Sequence, residues 1–290
     1  MLKLQGVYTA LVTPFRNGKV DYPCLEALVE RQIAAGVSGI IPVGTTGESP
    51  TVTVEEHLDV IRFVAEKANR RCQIIAGTGA NSTEEAIRLT KAVEDMPVDA
   101  TLQVTPYYNK PSSEGLYRHF VATAECTKLP VVLYNVPGRT GKEIPLDVVL
   151  RLSKHPQVAA IKEAAGSVER VNAIRNMCDL TVLSGDDSLA LPMMSVGATG
   201  VISVLSNVAP EAYVKMCQMA LANDFAGAYA IHKRYYPLAH DLFLEANPIP
   251  VKAALADMGL LTEEYRLPLC EMGAANREIL RNTLHKLDLI

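Results

Sequence analysis

The chain of 290 residues is 49% hydrophobic and carries a formal net charge of −4, with 28 Lys and Arg against 32 Asp and Glu. Without a run of Lys or Arg it lacks the basic stripe that nucleic acid or an anionic lipid surface requires, and nothing approaches the ~20 consecutive apolar residues of a membrane span. Its six cysteines (Cys24, Cys72, Cys126, Cys178, Cys217 and Cys270) stand singly, which argues against a disulfide scaffold and points to a reduced, cytoplasmic setting.

The opening "MLKLQGVYTALVTPF" has one early lysine, but Gln5, Gly6, the threonines and Pro14 interrupt it before a leader-peptide apolar core can form. Residues 7–15 therefore read as a first strand. Further β-rich runs follow at 39–44, 73–79, 100–106, 130–137, 158–163, 181–185 and 199–203. Nearly continuous Val, Ile, Leu and Ala is what parallel strands buried on both faces require. Between them lie stretches with helical apolar spacing. Thr53 and Glu56 have capping-box spacing, ahead of a face made by Leu58, Ile61, Val64 and Ala68; Ser82 and Glu85 repeat the spacing, and Pro145 suits the first turn of "LDVVLRL". Eight strands alternating with helices make an α/β chain with the count of a (β/α)8 TIM barrel. From about Pro210 the text turns wholly helical, which predicts one closing barrel helix and then a small C-terminal helical appendage. We divide the chain into a barrel, 1–225, and an appendage, 226–290.

In a parallel barrel the active site lies at the C-terminal mouth, so the strand-end residues carry the chemistry. Polar groups gather there: Gly44-Thr45-Thr46-Gly47-Glu48 after the second strand, Thr105 to Asn109 after the fourth, Tyr134-Asn135 and Arg139 after the fifth, Lys162-Glu163 after the sixth. Alternation that turns Val158 and Ala160 inward also turns Lys162 inward. Desolvation disfavours an ammonium, so a lysine in that position is expected to titrate below its usual ~10.4 and to attack a carbonyl as an amine. The product is a Schiff base, whose neighbouring carbon loses a proton to give an enamine. No histidine stands at a strand end to move protons, but Tyr134 does, and a hydroxyl chain from Tyr134 through Thr45 to Tyr108 could relay them. Tyr107 and Tyr108 sit in a loop segment, where packing gives aromatic rings less reason to be, so Tyr108 is expected to reach a neighbouring subunit. Backbone N–H groups of Gly44 to Gly47 and the two threonine hydroxyls suit an anion, although a tight strand-to-helix turn needs the same residues. Arg139 offers a planar fork for a carboxylate. Each feature alone has a plainer reading as a solvated or packed side chain; their coincidence at several strand ends does not.

Together "GTTGE", "VTPYYNKP", "LYNVPGRT", "IKEAAG", "SGDD", "GVISVLSNVAP" and "ANPIPVKAAL" resemble the dihydrodipicolinate synthase family of pyruvate-dependent class I aldolases, over essentially the whole chain. The resemblance implies a lyase of diaminopimelate and lysine synthesis that condenses pyruvate with aspartate semialdehyde and needs no cofactor. It assigns the Schiff base to Lys162, the proton relay to Tyr134, Thr45 and Tyr108, the pyruvate carboxylate to Thr46 and the second carboxylate to Arg139. Gly185 and the backbone of Ile202 would line the site. Homotetramers built as dimers of dimers, with Tyr108 donated across an interface, are implied as well. So is a lysine effector site formed by Ser49, Pro50, His57, Asn81, Glu85 and Tyr107. Val54 departs from the polar residue often found in lysine-sensitive members, and Glu85 also suits a helix cap, so feedback stays open.

Three other readings compete. N-acetylneuraminate lyase and other keto-sugar-acid aldolases share the lysine and the tyrosine, but generally not the paired threonines or the arginine. A nucleotide-dependent oxidoreductase is suggested by "GTGANS", yet Ser82 replaces the third glycine of GxGxxG and no acidic residue closes the next strand. A non-catalytic binding barrel would not need the lysine, the tyrosines, the threonine pair and the arginine together. The six histidines (His57, His119, His155, His232, His240 and His285) show no metal-ligand spacing and read as helix-surface or polar residues, so no metal is expected.

Overall fold

A computed structural model describes residues 2–290. Eight parallel strands close into a barrel: β1 Gly6–Ala10, β2 Gly39–Ile41, β3 Gln73–Gly77, β4 Ala100–Val104, β5 Val131–Asn135, β6 Val158–Glu163, β7 Thr181–Ser184 and β8 Gly200–Ser203. Each pairs with the next in sequence, and β8 pairs with β1. The first run is shorter than expected: β1 ends at Ala10, and Phe15–Arg16 turn back to pair antiparallel with Lys19–Val20 outside the barrel. The intervening Pro14 has no N–H to give a ladder.

The barrel helices are α1 Tyr22–Ala34, α2 Val54–Ala68, α3 Thr83–Ala92, α4 Ser113–Glu125, α5 Leu146–Leu152, α6 Val168–Met177, α7 Ala190–Ser195 and α8 Pro210–Leu221. Thr53 and Glu56 form the full reciprocal capping box of α2, whose buried stripe is His57, Val60, Ile61, Val64, Ala65 and Ala68, with Leu58 only half-buried beside it. At α3 only half the box forms: Ser82 caps the Glu85 N–H. Pro145 stands one residue before α5, at its cap.

Two apolar layers hold the barrel. An outer one fills the space between strands and helices, and an inner one, with Tyr8, Ala10, Ile41, Ile75, Leu102, Val132, Ala160, Leu183 and Ile202, plugs the interior. One inward assignment fails. Val131 pairs with Val158 but Val132 with Ala160, so Ala159 is an extra residue, and Val158 belongs to the outer layer. The bulge precedes Ala160, so Ala160 and Lys162 still alternate inward.

Beyond α8 come α9 Phe225–Asp241, α10 Ile249–Asp257 and α11 Ala274–Lys286. They are tied back to the mouth of the barrel by charge. Lys252 on α10 is fully buried against Glu48, Nζ to Oε1 2.5 Å, with its ammonium over the rings of Phe15 and Tyr265. Arg266 adds a two-pronged bridge to Glu56 at the start of α2. No helix among the described residues is long and apolar enough to cross a membrane.

Candidate active site

Lys162 and Tyr134 are cross-strand partners at the C-terminal ends of β6 and β5. Both are only 6% exposed, and the Lys162 Nζ lies 4.2 Å from the centroid of the Tyr134 ring. The next pair in register faces the other way and fastens the strands. Asn135 Nδ2 donates to Glu163 Oε1 at 2.8 Å, Arg170 Nε donates to Glu163 Oε2 at 2.9 Å, and the Ala165 N–H adds 3.0 Å to Oε1. Burial pushes the Glu163 carboxyl up, and the attraction of Arg170 with these hydrogen bonds opposes the shift. A buried carboxylate satisfied on both oxygens is a rigid tie. It holds the register that sets Lys162 against Tyr134.

The loop after β2 is wound tightly on itself. The N–H groups of Gly47 and Ser49 bond to the Gly44 carbonyl and that of Glu48 to Thr45, with Glu48 in the left-handed region at φ 55°. Those donors are spent on the turn. Of the four N–H groups expected to form a cradle, that of Gly47 is spent in this way, while those of Gly44, Thr45 and Thr46 have no backbone acceptor among the described residues, so the cradle is narrower than the sequence implied. Thr45 and Tyr134 line one small cavity of about 40 Å³, with Gly44, Ser49, Leu102 and Val104. No hydrogen bond joins Thr45 to Tyr134 among the described residues; they share the space.

Gly185, after β7, must be glycine. A Cβ there would stand 2.6 Å from the Ala164 Cβ and 3.0 Å from the Lys162 Cε, so a side chain would displace the lysine. Ile202 on β8 is fully buried in the inner layer. Two residues after Gly185, Asp187 is buried with Oδ2 accepting from the Val204 and Leu205 N–H groups, each at 2.9 Å. Its burial pushes the carboxyl up to about 6, opposed by those hydrogen bonds and by Lys162.

Arg139 lies on the exposed helical turn Pro137–Thr140, and its Nη2 donates to the backbone carbonyl of Asn247 at 3.1 Å. Asn247 in turn donates from Nδ2 to the Thr46 hydroxyl at 2.9 Å. Sequence reasoning assigned no individual role to Asn247, Glu48 or Lys252. Their only signal was membership of the "GTTGE" and "ANPIPVKAAL" strings, because their partners lie some 200 residues away.

The chain by itself does not bring Tyr108 to Tyr134. Tyr108 is 90% exposed at the tip of a γ-turn, with φ 72° and the Asn109 N–H bonded to the Tyr107 carbonyl at 2.9 Å. A tyrosine in that conformation is strained. Asn81 clamps the turn from both sides, donating to Tyr107 O at 3.2 Å and accepting from Asn109 Nδ2 at 2.9 Å. Of the remaining effector candidates, Ser49 and Pro50 form a short helical turn, and Glu85 raises the Tyr107 phenol by its charge, after burial. His57 is buried, its Nε2 2.6 Å from the Gly77 carbonyl, and desolvation holds its pKa down. His57, His119 and His232 are all buried, which corrects the surface reading of those three. Among the described residues no group of three or more His, Cys, Asp or Glu could hold a metal ion.

A model of the dihydrodipicolinate synthetase family matches residues 3–287. A curated relative from Methanococcus maripaludis (strain C7 / ATCC BAA-1331), a 4-hydroxy-tetrahydrodipicolinate synthase, is 47% identical over 99% of this chain and 100% of its own. The solved 4-hydroxy-tetrahydrodipicolinate synthase of Methylacidiphilum fumariolicum SolV superposes with a TM-score of 0.97 at 49% identity, covering 99% of this chain and 96% of that one. The dihydrodipicolinate synthase of Acinetobacter baumannii, solved in complex with pyruvate, gives a TM-score of 0.97 at 48% identity over 99% and 100%.

Proposed function

The chain belongs to the dihydrodipicolinate synthetase family, and from that premise we infer that it is a 4-hydroxy-tetrahydrodipicolinate synthase acting through a lysine Schiff base. It joins pyruvate to aspartate semialdehyde with net loss of one water. The observation that carries the reading is the buried Lys162 amine set against the Tyr134 ring at the end of adjacent strands.

In the residue assignment we propose, the Lys162 amine attacks C2 of pyruvate and water leaves to form the imine. A C3 proton departs to give the enamine, C3 adds to the aldehyde carbon of the second substrate, and the alkoxide formed takes a proton. The semialdehyde's own amine then displaces Lys162, closing the ring and freeing the enzyme. Tyr134, with Thr45 and a Tyr108 supplied by a second subunit, moves the protons. Thr46 holds the pyruvate carboxylate and Arg139 the second carboxylate, while Gly185 and Ile202 shape the wall beside Lys162. The strained, solvent-facing Tyr108 supports an assembly in which a partner covers it, a dimer or dimer of dimers. The clamp of Asn81 on the Tyr107 turn and the proximity of Glu85 support an effector site there with Ser49, Pro50 and His57. We assign residues 1–225 to the barrel and 226–290 to the appendage, a boundary that falls within one residue of the start of α9 at Phe225. Cytoplasmic residence fits a biosynthetic enzyme with six free cysteines.

Purified protein supplied with pyruvate and aspartate semialdehyde should form the cyclic product. Turnover of pyruvate with N-acetylmannosamine instead would favour the sugar-acid aldolase reading.

A further inference from the structure

Thr46 and Arg139 lie 93 positions apart on different loops, yet one residue from outside the barrel touches both. Asn247 is 6% exposed and precedes α10; its Nδ2 donates to Thr46 Oγ1 at 2.9 Å, and its backbone carbonyl accepts from Arg139 Nη2 at 3.1 Å. Its Oδ1 is buried with no hydrogen-bond partner. The carboxamide is therefore held at that angle by its amino side, through Thr46.

A hydroxyl has one proton to give and two lone pairs to receive. Because Asn247 occupies a Thr46 lone pair as donor, the Thr46 proton is turned away from Asn247 and is free for an acceptor elsewhere. We propose that Asn247 is a positioning residue that fixes Thr46 as a hydrogen-bond donor to the carboxylate of pyruvate. The inference rests on the assignment of Thr46 above and adds to it the direction of the bond. It also gives the C-terminal segment a part in substrate selection. The same residue that seats Arg139 through its backbone sets the polarity of Thr46 through its side chain, so the two carboxylate sites are fixed to one point.

Asn247→Asp keeps the shape and reverses the bond: a carboxylate accepts the Thr46 proton and places negative charge beside the substrate's. Asn247→Ala only lets the hydroxyl rotate. Borohydride trapping titrated with pyruvate alone should give a half-saturating concentration about 5-fold higher in Asn247→Ala, the scale of one hydrogen bond, and about 50-fold or more higher in Asn247→Asp. The KM for aspartate semialdehyde should stay within about twofold, because the carbonyl facing Arg139 survives both substitutions. Two results would overturn the inference: an Asn247→Asp half-saturation equal to wild type, or equal increases in both variants with a parallel rise in the semialdehyde KM, the mark of lost packing. Wild-type protein that took no label would remove the functional reading and this inference together. Labelled wild type with an unchanged Asn247→Asp would remove the inference alone.

Discussion

The Tyr134 ring lies 4.2 Å from Lys162 Nζ, and the proposed mechanism asks its hydroxyl to move protons, so ring and hydroxyl can be tested apart. Tyr134→Phe keeps the ring under Nζ and deletes the acid/base group; turnover should fall about 10²-fold or more, with an unchanged circular dichroism spectrum. Arg139→Ala removes a charged hydrogen-bonding fork from an exposed turn. It should raise the KM for aspartate semialdehyde by about 10-fold or more while pyruvate trapping persists, and equal loss of both would contradict the assignment. Lys162 was legible in the sequence because a strand end in a parallel barrel has a known direction and its side chains alternate. The bulge at Ala159 was not, since nothing in "VAAIKE" shows that β5 skips a residue there. Asn247 was invisible for another reason: a hydrogen bond across 201 positions leaves no local pattern.

Between elements, the tie of most consequence is Glu48 with Lys252, both side chains fully buried. Desolvation draws the lysine's pKa down and the carboxylate restores part of it. Removing one partner strands the other, so Lys252→Met should cost about 3–5 kcal/mol in denaturant unfolding. Glu48→Gln with Lys252→Met should recover much of that loss, whereas additive losses would mean that burial of the pair is not the cause. Because Glu48 closes the turn that carries Thr45 and Thr46, the pair fastens the appendage to the site. At this scale the sequence announced the α2 capping box and the existence of the loop after β2. It could not announce that three of the loop's N–H groups are spent within the turn, because that depends on the left-handed conformation of Glu48.

For the whole molecule, the barrel was legible because eight apolar runs recur between capped helices, a pattern local chemistry enforces; a contact between copies would not be, because no single chain contains it. Tyr108 donated by a partner predicts complementation. Mixing inactive Lys162→Ala with Tyr108→Phe protein, then exchanging subunits, should restore activity, since one site of each hybrid pair receives both native residues; no recovery would place Tyr108 in its own subunit's site. Burial lowers the His119 pKa from 6.5 to about 4, which predicts a loss of stability in acid. The unfolded chain binds a proton there that the folded one refuses, so the stability this residue contributes is present above pH ~6.5 and lost as pH falls toward 4. His119→Gln should flatten the fall in Tm between about pH 7 and 4.5, and an unchanged slope would exclude His119 as a cause. The most direct test of the account is mass analysis after treatment with pyruvate and borohydride, with the labelled peptide mapped. One reduced pyruvate adduct per chain on Lys162, absent from Lys162→Ala, is the predicted result; an unmodified chain, or an adduct on another lysine, would contradict it.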